Sequence, residues 1–343
     1  MNSAIAIKLH IRRQANRTSP PYYQTFTLNA DPQHHTVLDL LHQLQWEQDG
    51  TLVFRRNCRN VICGSCGMRI NGKSGLACQH TASAVMTATG EITIEPMQNL
   101  PVIRDLVVDM QNFWHNLHCV DPYVASSARQ PKDEEFRQTP AQRAQLQASA
   151  NCILCGCCYS ECNALVANPN FVGPHALAKA YRLLADNRDQ ATADRLTTYN
   201  FPNFVWDCTR CYQCNEVCPV GVQPLDRISQ IKQAILQQAD SLPPSTPILH
   251  RQTMVQLVQQ DGWIDESKFG LRVVGHNFRN WRGILSLIPL GLRMVWKGKM
   301  PYPWQFERSP AIAELQRIIA KVLHRTPNPA KTSPPAPHSQ DCQ

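Results

Sequence analysis

The sequence predicts an α+β protein in which a small N-terminal sheet domain precedes a helical domain. Residues Ile5 to Arg13 alternate between apolar and polar side chains, which is the pattern of a half-buried strand. Further along, two cysteine-rich runs are each followed by residues with helical periodicity. Because strand patterns come first and helical patterns dominate afterwards, we expect the α+β class.

The N-terminal elements predict the opening of a β-grasp domain. Tyr22 to Leu28 is the expected hairpin partner of the first strand, and Asn16 to Pro21 has the composition of the turn between them. A helix is expected after Asp31-Pro32, since apolar residues then recur at helical spacing. Its apolar face consists of Val37, Leu40, Leu41 and Leu44. Glu91 to Glu95 is expected to close the sheet.

Four cysteines in this region have a spacing that predicts a plant-type 2Fe-2S cluster. Cys58, Cys63 and Cys66 form a C-x4-C-x2-C loop. Cys78 follows a short hairpin whose turn is Asn71-Gly72, a dipeptide that favours type I′ turns. Zinc is the alternative, but four residues between the first two ligands exceed the usual zinc knuckle spacing.

The residues around these cysteines suit a negatively charged cluster. Gly64, Ser65 and Gly67 let the backbone approach closely, so that amide N–H groups can bond the sulfurs. Three arginines flank the loop, namely Arg55, Arg56 and Arg59. Two interpretations of them remain open: they stabilise the reduced cluster or dock an acidic surface, or they form a solvated basic edge.

A second cysteine pattern, C-x2-C-x2-C-x3-C-P, predicts a pair of cubane-type clusters. It consists of Cys208, Cys211, Cys214 and Cys218, followed by Pro219. The fourth cysteine of such a run ligates the other cluster of a pair, so another cysteine run must be present. The segment from Cys152 to Cys162 supplies it and is called the first run below, and the segment from Cys208 to Cys218 is called the second run. Crosswise ligation then assigns a 4Fe-4S cluster to Cys152, Cys155, Cys158 and Cys218. It assigns the other cluster, 3Fe-4S or a second 4Fe-4S, to Cys162, Cys208 and Cys214, with Cys211 as the fourth ligand that only the 4Fe-4S form needs.

Three cysteines remain outside these sets. Cys157 and Cys119 are expected to pack as small buried hydrophobes, and Cys342 is expected to be an incidental thiol in the tail.

Helical patterns continue through the rest of the chain. Val107, Met110 and Trp114 fall at helical spacing, and Ser126 to Gln138 is expected to form an interdomain loop. Gly173-Pro174 opens a helix with Leu177, Ala180, Tyr181 and Leu184 on one face, and the helix after Pro219 turns Leu225, Ile228, Ile231 and Ile235 inward. The predicted organisation is a 2Fe-2S domain (1–110), a two-cluster helical domain (111–240), a helical extension (241–325) and a disordered tail (326–343).

Composition limits the functions to be considered. The net charge is +8, but the basic residues are scattered rather than clustered, so no nucleic-acid partner is expected. Met1 to Arg13 lacks the apolar stretch of a secretory signal, and the 15 cysteines stand mostly at cluster spacings, which favours a reducing compartment. The longest apolar run, Ile284 to Leu292, contains Pro289 and is too short to span a bilayer.

In combination, these motifs resemble the iron-sulfur subunit of succinate dehydrogenase and fumarate reductase, the respiratory complex II group. The resemblance covers roughly residues 1 to 238. It rests on the 2Fe-2S loop, on the segment Leu100 to Asp109, on the run that begins at Cys152, and on Asn168-Pro169 through Gly173-Pro174 to Ala180-Tyr181-Arg182.

The resemblance implies an electron-transfer role and a set of partners. The 2Fe-2S domain would face an FAD-containing succinate dehydrogenase flavoprotein, and the helical domain would face a membrane-associated quinone site. Electrons from succinate would pass along three clusters towards quinone. The chain would be cytoplasmic and peripheral on the inner face of a respiratory membrane, held there by a membrane anchor or a heterodisulfide-reductase-like subunit.

Three features depart from the family pattern. Many relatives carry a noncysteine residue at the position of Cys211 and hold a 3Fe-4S cluster there, whereas here a 4Fe-4S cluster is the favoured expectation. Relatives usually have proline after the position of Cys162 and a tryptophan pair that helps to bind quinone, whereas this chain has Asn163 followed by Leu165, Val166 and Ala167. The quinone-site residues therefore cannot be transferred.

The third departure is a C-terminal extension of about a hundred residues. His250 to Lys268 and Trp281 to Trp304 resemble segments of iron-sulfur subunits that work with a heterodisulfide-reductase-like partner. The apolar residues from Trp281 to Trp296 have arginines and lysines around them, which suits a helix on a membrane surface or a partner. A helix packed on the chain's own core and kinked at Pro289 is the alternative.

Overall fold

The computed structural model describes residues 4–126, 135–239, 241–243, 245–276, 279–299 and 307–323. The described residues up to Ala234 form one compact unit, and those from Ile235 onwards form a second. The predicted boundary at residue 110 lies inside the first unit and stays a prediction. The predicted tail, Cys342 and most of the predicted interdomain loop lie outside the described residues.

A mixed five-stranded sheet forms the N-terminal part of the first unit. In chain order its elements are β1 (Ile5–Arg13), β2 (Tyr22–Ala30), α1 (Val37–Glu47), β3 (Gly67–Ile70), β4 (Lys73–Leu76), α2 (Ala82–Val85) and β5 (Glu91–Glu95). The strand order across residues 4–126 is β2-β1-β5-β3-β4. β1 runs antiparallel to β2 and parallel to β5, so that Leu9 lies opposite both Phe26 and Ile92.

Local sequence explains why α1 begins where it does. Thr36 caps the helix by accepting from the Asp39 amide, and the Asp39 carboxylate accepts from the Thr36 amide in return. The predicted apolar face of α1 is fully buried against the sheet. The strands, the helix and the Asn71-Gly72 turn are therefore confirmed, the last with φ of 48° and 78°.

The segment after the sheet differs from the prediction. It forms a small hairpin, β6 (Val102–Arg104) and β7 (Val107–Val108), before helix α3 (Gln111–His118). The prediction that Val107, Met110 and Trp114 share a helical face was wrong. Val107 belongs to a strand, Trp114 is exposed, and the side of α3 that packs inward carries Phe113 and Leu117.

Helices make up the rest of the first unit. They are α4 (Pro140–Ala150), α5 (Cys157–Ser160), α6 (Asn163–Ala167), α7 (Gly173–Leu184), α8 (Thr192–Tyr199), a short 3-10 helix (Val205–Asp207), α9 (Gln213–Glu216) and α10 (Pro224–Gln237), whose last three residues are counted with the second unit. All four predicted inward residues of α10 are buried. In α7 the buried set includes Leu183, while Leu184 and Tyr181 are only half-buried.

The second unit contains α11 (Thr246–Asp261), α12 (Glu266–Val273), α13 (Trp281–Trp296) and α14 (Ile312–Leu323). Helix α11 packs against both α12 and α14, and α12 packs against α13. Asp265 caps α12, and Asp261 pairs with Lys268 at 3.2 Å and with Arg308 at 3.4 Å. Within the described ranges, no helix is both long and apolar enough to cross a membrane.

Candidate iron-sulfur sites

The loop that carries Cys58 and Cys63 directs backbone amides at cysteine sulfurs. The amides of Asn60, Ile62 and Cys63 donate to Cys58 Sγ at 3.3, 3.4 and 3.3 Å. The Val61 amide donates to Cys78 Sγ at 3.4 Å, and the Cys58 amide to Cys63 Sγ at 3.5 Å. Arg59 and Val61 adopt φ of 58° and 56°, which turns successive amides towards the same side. The loop is therefore built to stabilise negative charge on sulfur.

Two cysteines of this loop differ sharply in acidity. Although burial opposes ionisation of Cys63, hydrogen bonds from Ser65 and from the backbone lower its pKa to about 6. Burial raises the pKa of Cys66 to about 12. Cys63 therefore favours the thiolate without a bound metal, whereas Cys66 needs the positive charge of bound iron to ionise.

Gly64 and Gly67 bring this loop against the first cysteine run. A Cβ on Gly64 would lie 2.9 Å from Cys155 Cα, and a Cβ on Gly67 would lie 3.0 Å from the Cys155 carbonyl oxygen. Gly64 also has φ of 71°, which disfavours any other residue. Sequence reasoning gave these glycines a role in amide-to-sulfur bonding only. The structure adds a second role, since their missing side chains let two cysteine loops touch.

The three arginines beside the loop are exposed, and the described contacts tie two of them to the chain itself. Arg59 Nη2 lies 2.5 Å from His42 Nδ1, and Arg56 Nη1 donates to Gln45 at 2.5 Å. The His42 ring is buried and stacks on Trp46, with ring centroids 5.4 Å apart. Arg59 is therefore held in place by His42 rather than freely solvated.

The two cysteine runs share one backbone conformation. In the first run, Leu154 and Gly156 adopt φ of 53° and 84°; in the second run, Arg210 and Tyr212 adopt 58° and 69° at the equivalent positions. A single helical turn follows in each run, α5 and α9. Left-handed φ values at non-glycine residues cost free energy, so their repetition indicates that the same local geometry is required twice.

Eight of the nine cysteines in these runs divide into two groups. A cavity with apolar walls is lined by Cys152, Cys155, Cys158 and Cys218, and its other walls include Ala178, Val222 and Pro224. The second group consists of Cys162, Cys208, Cys211 and Cys214, whose charges act on one another. Burial raises the pKa of Cys162 to about 11 and that of Cys214 to about 12. Both groups correspond to the crosswise sets expected from the spacing, and the ligand assignment itself stays a prediction.

The cysteines of the helical part of the chain differ in how deeply they are buried. Cys211 is exposed, whereas Cys158, Cys162 and Cys214 are buried, and Cys158 and Cys214 share a small buried cluster with Leu225. Cys157 is fully buried in the hydrophobic core, as expected. The expectation that Cys119 packs as a buried hydrophobe was wrong: it is only half-buried, at the end of α3, with Sγ 3.8 Å from His115 Nε2.

Each of the two cysteine groups formed by these runs has a lysine beside it. Burial raises the pKa of Cys152, and the positive charge of Lys179 opposes that rise. Lys232 Nζ donates to the Cys208 carbonyl at 3.3 Å and lies over the Trp206 ring. Burial lowers the pKa of Lys232, and the nearby Cys208 opposes this. These two cations would favour the reduced, more negative state of a cluster.

Sequence reasoning missed a buried histidine beside the first group. His175 lines the same cavity, stacks on Phe113 at 3.8 Å between ring centroids, and lies 2.8 Å through Nε2 from the Phe113 carbonyl. Its Nδ1 has no hydrogen-bond partner among the described residues, and burial lowers its pKa to about 3. No motif marks this residue, because its surroundings come from α3 and α7 together.

Polar contacts lock the first run to the sheet domain. Glu161 accepts from Arg69 Nε at 3.1 Å and from the Ser74 hydroxyl at 2.7 Å. The Asn99 side-chain amide donates to the carbonyls of Tyr159, Ser160 and Cys162 at 3.0, 3.0 and 3.1 Å. The run is thereby fixed from outside as well as by its own backbone.

The donor sets fit iron-sulfur clusters. Amides directed at sulfurs, an apolar cavity lined by four thiols and a repeated loop conformation are what thiolate-ligated clusters require. Among the described residues, no three His, Cys, Asp or Glu side chains converge as the ligands of a single metal ion would.

Comparison with known families supports the same cofactors. Residues 8–115 match the family model of a 2Fe-2S iron-sulfur cluster binding domain, and residues 148–222 match that of a 4Fe-4S dicluster domain. The predicted 2Fe-2S and 4Fe-4S cofactors are thereby confirmed, as is the α+β fold with a ferredoxin-type sheet domain before a helical cluster domain.

Named relatives extend over most of their own length. The mitochondrial succinate dehydrogenase [ubiquinone] iron-sulfur subunit 1 of Oryza sativa is 38% identical, and the match covers 64% of this chain and 78% of the relative. The fumarate reductase iron-sulfur subunit of Haemophilus influenzae is 37% identical, with 62% and 86% covered. A chain in the Mycobacterium smegmatis Sdh1 complex in the apo form superposes with a TM-score of 0.63 at 25% identity, over 69% of this chain and 98% of that one.

Proposed function

The chain belongs to the family of succinate dehydrogenase and fumarate reductase iron-sulfur subunits, and we propose that it is the electron-transfer subunit of a succinate:quinone oxidoreductase. Its cysteines would hold a 2Fe-2S cluster through Cys58, Cys63, Cys66 and Cys78, and a 4Fe-4S cluster through Cys152, Cys155, Cys158 and Cys218. Cys162, Cys208, Cys211 and Cys214 would hold a third cluster.

The continuity of the three cysteine groups carries this proposal. Gly64 of the first loop is packed on Cys155 of the second group, and Cys158 of the second group shares a small buried cluster with Leu225 and with Cys214 of the third. When bound, the clusters supply three one-electron carriers, and they would stand in that order. The protein's contribution is to set the distances between the groups, which the rigid contacts at Gly64, Glu161 and Asn99 accomplish.

The chain's own residues also set the electrostatics along this path. Amides around Cys58 stabilise negative charge at one end, and the apolar walls beside His175 exclude water in the middle. Lys232 places a half-buried cation next to Cys208 at the far end. No residue among these has to transfer a proton, and the substrate chemistry belongs to a separate flavoprotein subunit.

The third group supports a 4Fe-4S rather than a 3Fe-4S cluster. Arg210 and Tyr212 reproduce around Cys211 the backbone conformation that surrounds Cys155 in the first run. Cys211 therefore stands where its counterpart lines a four-cysteine cavity. Its exposure makes the corresponding iron the one most readily lost.

The proposed partners follow from the family. An FAD-containing flavoprotein would deliver electrons from succinate to the 2Fe-2S end, and a membrane anchor or heterodisulfide-reductase-like subunit would pass them to quinone. The complex would be peripheral on the inner, cytoplasmic face of a respiratory membrane. Operation within the tricarboxylic acid cycle requires the direction from succinate to quinone.

The similarity to fumarate reductase subunits favours one alternative function, electron delivery to fumarate. Fumarate reductase subunits are as similar to this chain as succinate dehydrogenase subunits are. In this alternative, the same three clusters would deliver electrons to fumarate. A third arrangement would pair the chain with another flavoprotein and a heterodisulfide-reductase-like subunit.

Purification of the tagged full chain from membranes under mild detergent tests the proposal. We expect a flavoprotein to copurify and the complex to reduce a soluble quinone with succinate faster than it oxidises a quinol with fumarate. The reverse ratio would favour the alternative, and recovery without any flavoprotein would contradict both.

A further inference from the structure

Helix α13 exposes a continuous apolar face. Its members recur every three or four residues, which places them on one side of the helix. They are Trp281, Leu285, Ile288, Leu292 and Trp296, with 63, 51, 47, 67 and 85% of their surface exposed. None of the residues of α13 is buried. Isolated exposed apolar residues are ordinary, but five of them aligned over 16 residues form a surface that needs a partner.

A different side of the same helix packs on its neighbours, so the exposed face is fixed. Leu287 is in contact with Gly270 of α12, where a Cβ would lie 3.1 Å from Leu287 Cδ1. Ile284 rests on Gly275, where a Cβ would lie 2.8 Å from Ile284 Cγ1. One side of α13 therefore packs within its unit, and nothing among the described residues covers the other side, so the surface-helix alternative stays a prediction.

Positive charge borders the uncovered face along one edge. Arg282, Arg293 and Lys297 each follow a residue of the apolar face by one position, so they lie beside it on the helix. Arg282 lies over the Trp281 ring at 5.9 Å, and Lys297 over the Trp296 ring at 5.7 Å. The sequence from Phe269 to Phe306 contains six arginines and lysines and no aspartate or glutamate. The charge of this segment therefore complements an anionic surface.

We propose that α13 binds directly to anionic lipid, lying in the plane of the bilayer surface. Leu285, Ile288 and Leu292 would enter the boundary of the acyl chains, and the tryptophans at both ends of the helix would sit at headgroup level. Arg282, Arg293 and Lys297 would contact lipid phosphates. This would give the chain its own membrane affinity, independent of its protein partners and of the reaction that the complex catalyses.

Flotation of the full, cluster-loaded chain with protein-free vesicles tests this proposal. We expect the chain to float with vesicles of phosphatidylcholine containing 30 to 40% phosphatidylglycerol, roughly tenfold or more in preference to pure phosphatidylcholine. Raised salt should weaken the binding. Tryptophan fluorescence should be quenched by brominated lipid, and W281F/W296F should remove most of that quenching.

Matched variants distinguish lipid binding by α13 from nonspecific adsorption to vesicles. L285E/L292E should abolish flotation, and R282Q/R293Q should weaken it roughly tenfold or more. K73Q/R143Q removes two exposed cations of the first unit and should leave flotation unchanged. Because the substituted α13 side chains are exposed, cluster absorbance should persist in every variant. Failure of the parent chain to float with anionic vesicles, or equal flotation of L285E/L292E, would overturn the proposal and would point to a protein partner for this face.

Discussion

Gly64 is packed so tightly on Cys155 that a Cβ on the glycine would lie 2.9 Å from the Cys155 Cα. This contact joins the 2Fe-2S loop to the first cubane run, and electron transfer between them depends on their separation. Gly64→Ala should push the loops apart and strain a residue with φ of 71°. We expect a loss of about 1 to 3 kcal/mol in stability and slower re-oxidation of the reduced 2Fe-2S cluster, measured by rapid-freeze EPR.

Gly72 supplies the control for this variant. It has φ of 78°, but a Cβ there would meet only the end of the Arg69 side chain, at 3.9 Å. Gly72→Ala should therefore cost stability without changing the electron-transfer rate. Equal rates in Gly64→Ala and the parent protein would show that the contact has no role in the path.

The two lysines beside the cysteine groups should tune different clusters. Lys232→Met removes a cation next to Cys208 and should lower the reduction potential of the third cluster by tens of millivolts, in order of magnitude. Lys179→Met should lower the potential of the Cys152 group instead. Redox titration followed by EPR distinguishes the two signals. A shift of the same cluster in both variants would contradict the assignment of these groups.

His175 should make the protein sensitive to mild acid. Burial lowers its pKa to about 3, against about 6.5 in the unfolded chain, so only the unfolded state takes up the proton between these values. Stability is then complete above pH 6.5 and falls as the pH drops. Between pH 7.5 and 5.5, the parent should lose about 1 kcal/mol more unfolding free energy than His175→Phe.

Phe113→Leu is the comparison for this measurement, because it removes the stacking partner and keeps the histidine. It should lower stability by a similar amount at every pH, with the parent's pH dependence. If His175→Phe retains the full acid sensitivity, another group is responsible.

Arg13 should contribute more to stability than the other arginines of its strand and turn. Its buried guanidinium donates to Asp105 at 3.0 Å and to Asp49 at 2.5 Å, and the hydrogen bond from Thr51 together with that from Arg13 lowers the pKa of Asp49 to about 2. Arg13→Met leaves the Asp105 carboxylate buried without its cation and should cost about 3 to 5 kcal/mol in urea unfolding. Arg17→Met breaks an exposed pair with Asp109 and should cost far less stability than Arg13→Met.

Local sequence was sufficient where the structure depends on neighbours in the chain. Alternation located β1 to the residue, helical spacing identified the buried faces of α1 and α10, and cysteine spacing picked out the four cysteines that line one cavity. The same reasoning failed at Val107 and Trp114, because a three-residue coincidence of spacing fell across a hairpin and the helix after it.

Long-range packing accounts for what sequence reasoning did not find. Three such contacts join residues far apart in the chain: the stacking of His175 on Phe113, the contact of Gly64 with Cys155 and the ion pairs of Arg13. Periodicity carries no information about such pairs. The uncovered face of α13 lies between these cases: its apolar pattern was visible, but which side packs could be known only from its contacts with Gly270 and Gly275.

Iron and sulfide analysis combined with EPR of the anaerobically reconstituted full chain tests the central claim most directly. The three cysteine groups predict about ten irons and ten acid-labile sulfides per chain. They also predict no 3Fe-4S signal in the oxidised protein and the emergence of that signal in Cys211→Ser. A 3Fe-4S signal in the oxidised parent that Cys211→Ser leaves unchanged would contradict the four-cysteine third site. A colourless zinc protein would contradict the whole account.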